Sequence, residues 1–87
     1  MPYIKPELRP AIDEVIQQLD KHVHTAGDLN YAITKLILRS SIASGGGYNY
    51  IALITGVLEN VKQEFYRRFA SRYEDGKIKD NGDVFPL

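Results

Sequence analysis

"YIALITGVLENVKQEFYRRFASRY", residues 50–73, is the stretch on which the fold turns. Ile51, Ile54, Leu58, Val61, Phe65, Phe69 and Tyr73 recur three or four positions apart, the spacing of one face of an α-helix. Tyr50, Leu53 and Val57 widen that stripe at its start, and Ala52 and Gly56 lie away from it, four residues apart. Small residues at that interval permit close approach by another helix, although in water the signal is weak. The pattern therefore predicts a long helix over about 49–80, enclosed on more than one side in its first half. Gly76 and Gly82 are the two candidate stops, with Lys77 and Lys79 suited to the negative end of the helix dipole. "DNGD" (80–83) is also a turn signal, and Ile78 and Val84 on either side of it would suit a short hairpin. The helical reading to about Asp80 is preferred.

Upstream, "SGGG" (44–47) breaks the chain before this helix. The stretch before it, "HTAGDLNYAITKLILRSSIA" (24–43), predicts a helix over about 28–43. Thr25 with Asp28 three residues on fits a capping box, and Asp28 is a second candidate for the cap itself. Leu29, Ala32, Ile33, Leu36 and Ile37 make one apolar face, whereas Tyr31, Leu38 and Ile42 lie near the opposite side. A helix apolar on two sides needs two neighbours. Ile12, Val15, Ile16, Leu19 and Val23 give a one-faced helix over about 10–22, with Pro10 in its first turn where the missing N–H costs nothing. Pro2, Pro6 and Pro10 suggest an extended arm over residues 1–9. Residues 81–87 remain as a tail.

The fold expected is thus all-α: a single three-helix bundle with a long C-terminal helix, packed as a homodimer. At 87 residues with no cysteine the chain has neither disulfide nor thiolate metal site to stabilise it. Chains of this size bury only about 60% of their unfolded surface, and many gain stability by oligomerising. Tyr31, Leu38, Ile42, Ala52, Leu53 and Gly56 are the candidate self-association residues. The stretch from Ser40 to Leu58 is uncharged apart from none of the long apolar run that a membrane span needs, because "SGGG" and polar residues interrupt it. "MPYIKPELRP" lacks the apolar core of a secretory signal, so a soluble, cytoplasmic protein without membrane contact is expected.

Lys and Arg number 11 and balance 11 Asp and Glu, which argues against a generally basic nucleic-acid binder. Locally, Lys62, Arg67, Arg68, Arg72, Lys77 and Lys79 outweigh Glu64, Glu74 and Asp75. With Tyr66 and Tyr73 among them, this run has the chemistry to hold phosphates and stack on bases. The competing reading is a ladder of ion pairs, Glu64 with Arg68 and Arg72 with Asp75, along the edge of a packed helix. Tyr66, Arg67, Arg68, Arg72 and Tyr73 are accordingly the candidate partner surface, for a protein first and nucleic acid second. Arg68 and Arg72 border the apolar stripe, so either one, if buried, requires a carboxylate or bound anion.

No catalytic, cofactor or metal motif is present. His22 and His24 are two apart, not the three or four that direct a helical pair to one metal. "DNGD" lacks the spacing of a calcium loop. Glu59 and Glu64 are five apart, unlike the clustered E-x-x-E acids by which all-α nucleotide pyrophosphatases hold magnesium. "SGGGYNY" lacks the Lys-Ser/Thr ending and preceding strand of a phosphate loop. No cofactor is expected, and the enzymatic alternative is a site assembled between chains from Asp28, Asn30, Glu59 or the histidines.

"GDLNYAIT" (27–34), "GVLENVKQEFYRRF" (56–69), "YED" (73–75) and "NGDV" (81–84) together resemble a family of short uncharacterised prokaryotic and phage proteins classed as a domain of unknown function. The resemblance spans residues 27–84. It implies a small α-helical, cytoplasmic protein, possibly associated with phage, and carries no activity over to any residue.

Overall fold

The computed structural model describes residues 2–38 and 46–86. The protein is all-α, with three helices of which the last is 35 residues long, and the described residues contain no strand. Helix α1 spans Arg9–Asp20, α2 spans Ala26–Leu38, and the last helix comprises α3 (Gly47–Phe65), a π-helical turn (Tyr66–Ala70) and α4 (Ser71–Asn81). The reach of α2 beyond Leu38, and with it Ile42, lies outside the described residues. The chain divides into two compact units, residues 2–54 and 55–87.

In the first unit, the proline-rich segment expected to be extended instead closes a 3-10 turn at Pro6–Leu8. Proline at the start of such a turn gives up no hydrogen bond and arrives with a helical φ. The Leu8 N–H donates to the Lys5 carbonyl at 2.9 Å, and Arg9 Nε donates to the Ile4 carbonyl at 3.0 Å. Helix α1 then presents Ile12, Val15, Ile16 and Leu19 along one face, and all four are exposed. Its end tightens as the His22 N–H reaches the Leu19 carbonyl at 2.9 Å.

Helix α2 starts from a capping box. The Asp28 N–H donates to Thr25 Oγ1 at 3.0 Å, while Asp28 Oδ2 accepts from the His24 and Thr25 N–H groups at 3.0 and 3.2 Å. Thr25 is therefore the cap and Asp28 its reciprocal partner, which satisfies donors that a helix start leaves open. The acid also complements the positive end of the helix dipole.

Gly46 and Gly47, at φ 63° and 75°, lead into α3 through backbone conformations that other residues adopt only with strain. The Tyr50 hydroxyl donates to the Ile37 carbonyl at 2.9 Å and ties the first turns of α3 to α2. One turn on, Ile54 is 7% exposed and is the single buried hydrophobic among the described residues. A folded domain normally encloses a contiguous cluster of such residues, and this unit encloses one.

In the second unit the helix passes through Gly76 and ends where Gly82 takes φ 89°. The Gly82 N–H caps the Ile78 carbonyl at 2.8 Å. Residues 78–81 are thus helical and not one arm of a hairpin. Beyond, the Phe85 N–H donates to Asp83 Oδ1 at 2.9 Å, an Asx turn, and Val84 and Phe85 are exposed.

Candidate interaction surface

The segment Glu64–Lys77 is organised around the π turn. In a regular α-helix the Ser71 N–H would donate to the Arg67 carbonyl; here it donates to the Tyr66 carbonyl, a span of five residues. The Ser71 hydroxyl takes up the Arg67 carbonyl instead, at 2.7 Å. A short hydroxyl side chain at the right place thus compensates for the backbone bond that the wider turn displaces.

On one side of this turn lie the aromatics. The Phe65 and Phe69 rings stack with centroids 5.3 Å apart and planes 13° apart. Lys77 Nζ sits 5.4 Å from the centre of the Tyr73 ring, within cation–π range. Val61, Phe65, Phe69 and Tyr73 are between 57% and 66% exposed, so the stripe that reads as a core face stands open to solvent.

Of the candidate partner residues, Tyr66, Arg67, Arg68, Arg72 and Tyr73 are all exposed on this segment. Arg67 pairs with Glu64, Nη2 to Oε1 at 2.7 Å. The acid thus closes the three-residue spacing with Arg67 in place of the four-residue pair expected with Arg68; both spacings bring side chains together on a helix. Arg68 and Arg72 extend into solvent, so neither imposes the demand of a buried cation.

The candidate self-association residues fall in the other unit, apart from Gly56. Tyr31, Leu38 and Leu53 are exposed, with Lys35 Nζ 5.8 Å from the Tyr31 ring centre, and Ala52 is exposed as well. Nothing lies within 4 Å of where a side chain at Gly56 would begin. Between the end of α1 and α2 lies an open groove of about 470 Å3, lined by Leu19, Val23, Tyr31, Ala32 and Leu36 with His22, Asp28 and Lys35 at its polar margin. Sequence periodicity marks these side chains as apolar faces but carries no sign that they meet in a groove.

The acids and polar groups considered for chemistry are engaged in local structure. Asp28 closes the capping box, and its carboxyl is held below the ordinary carboxylate range chiefly by the His24 N–H, with Thr25 adding to the effect. The Asn30 carbonyl accepts from the Thr34 hydroxyl at 2.8 Å, and Glu59 accepts from Gln63 Nε2 at 2.8 Å. Among the described residues, no three His, Asp or Glu side chains come together as a metal site. No described helix is long and apolar enough to cross a membrane.

A family model described as a domain of unknown function, DUF6899, matches residues 1–84, and the chain belongs to that family. No curated protein and no solved structure matches the chain significantly.

Proposed function

We propose that this member of the family is a non-enzymatic interaction module that works as a homodimer, in the cytoplasm of a prokaryotic cell or during phage growth. The observation that carries the reading is the mismatch between apolar pattern and burial. Three helices carry apolar faces of several turns each, yet Ile54 is the one hydrophobic residue enclosed among those described. Burial contributes about 25 cal/mol for each Å2 of apolar surface, and one enclosed isoleucine does not offset the entropy of ordering a chain of this length. Association with a second copy requires no other gene product and supplies the missing burial through an isologous contact.

The solution mass by light scattering on a sizing column tests this reading. The expected result is about twice the 9.9 kDa of one chain. A stable, folded monomer at micromolar concentration overturns it.

Nucleic-acid binding through the same segment is the second reading, supported by the exposure of Arg68 and Arg72 beside Tyr66 and Tyr73. It requires retention of DNA or RNA that falls steeply with salt and is lost in R68A/R72A.

A further inference from the structure

Resting on the dimeric reading, we propose that Val61, Phe65, Phe69 and Tyr73 form the self-recognition seam, along which the same segment of a second copy lies antiparallel. The π turn is what makes these four residues a seam. Successive α-helical residues turn by about 100°, so side chains spaced four apart drift by about 40° per step. From Phe65 to Tyr73 that drift amounts to about 80°, enough to carry Tyr73 off the face. The wider turn at Tyr66–Ala70 accommodates one additional residue and sets the following helix back, which returns Tyr73 towards the line of Val61 and Phe65. The result is an aromatic face spread over several turns, with every member exposed.

A second copy is the occupant that the charges favour. In an antiparallel pairing centred near residue 67, Phe65 of each chain lies opposite Phe69 of the other and Val61 opposite Tyr73. Helical spacing places Glu64, Arg68 and Arg72 along one flank of the seam and Lys62 and Glu74 along the other. Antiparallel helices bring like flanks together. Glu64 then lies between Arg68 and Arg72 of the second copy, and Lys62 lies near Glu74. A carboxylate accepts several hydrogen bonds, so this pairing is compatible with the Glu64–Arg67 bridge within each chain. Opposed helix dipoles favour the same direction. Each aromatic side chain offers about 150–250 Å2 when buried, so three of them, already more than half exposed, supply about half of the roughly 800 Å2 per partner of a standard interface. Leu58 and the stems of the flanking charged residues lie alongside to extend the contact.

Sedimentation equilibrium on the full chain and three groups of variants tests this. Phe69→Glu should raise the dimer dissociation constant about thirtyfold or more while far-UV circular dichroism retains the helix signal. Leu36→Glu, on α2, should leave it within a fewfold of the parent. Glu64→Arg and Arg68→Glu should each weaken the dimer by about fivefold, and the double reversal should restore it. If the parent chain is monomeric, the dimeric reading falls and the seam with it. If the parent is dimeric and F69E stays dimeric with its helices intact, the seam alone is overturned. If F69E loses its helices, the charge series decides: recovery in the double reversal supports the antiparallel seam, and its absence overturns it.

Discussion

Asp28 shows how one side chain sets the start of a helix and its response to acid. Its carboxylate accepts two backbone N–H groups while its own N–H is held by Thr25 Oγ1. Both bonds to the carboxylate favour the charged form, so the folded-state pKa lies below the unfolded one. A depressed carboxyl contributes stability that is present above the unfolded pKa and is lost as pH falls through the folded one. Thermal melts taken from neutral pH down through the carboxylate range should therefore show a loss of Tm at the acid end that is smaller in Asp28→Asn. An identical acid profile in the two proteins contradicts the assignment. Thr25→Ala removes the other half of the box and should lower stability by about 1 kcal/mol, the usual cost of an N-cap. This box is legible in the sequence because Thr and Asp three apart before an apolar run have few other structural uses. The choice between Thr25 and Asp28 as the cap is not legible, since either side chain reaches the same donors.

At the scale of the element, the last helix combines a long apolar period with two glycines and one irregular turn. Gly76 lies inside α4 with open space around the position of a side chain, so Gly76→Ala should raise stability by about 0.5–1 kcal/mol. Gly82 takes a positive φ, and Gly82→Ala should have the opposite sign. Paired thermal melts check both, and equal signs would contradict the observed helix end. The sequence names both glycines as stops; backbone conformation separates them, because a glycine within a helix is tolerated whereas one at φ 89° is required. The π turn is less legible. Spacings of four from Val61 to Tyr73 imply a drift off the face, but Ser71 is an ordinary residue until its hydroxyl is seen on the Arg67 carbonyl. Deleting Ala70 should convert the turn to regular helix. The helix signal would persist while Tyr73 rotates away by about 100°, and dimer affinity should fall. Retention of full affinity in the deletion would show that the turn does not set the register of the seam.

For the whole molecule, the decisive quantity is the apolar surface that the separate chain leaves in water. The helical class and the long last helix follow from period and glycine placement, which are local properties of the sequence. Whether an apolar face meets its own chain or another is not local. Phe65 reads as a core residue by pattern and is 61% exposed, while Ile54, on the same stripe, is 7% exposed. If association supplies the missing burial, folding and dimerisation are one equilibrium and stability depends on concentration. Each tenfold rise in protein concentration then adds about 1.4 kcal/mol per mole of dimer. With an unfolding entropy of about 2.1 cal/mol/K per residue over both chains, the Tm should climb by roughly 4 °C per tenfold. Melts of the parent chain across two decades of concentration measure this directly. F69E should show a lower Tm, with concentration dependence persisting only where dimer still forms. A parent Tm that does not move with concentration would place the stabilising contacts within one chain, and the exposed stripe would then require another role.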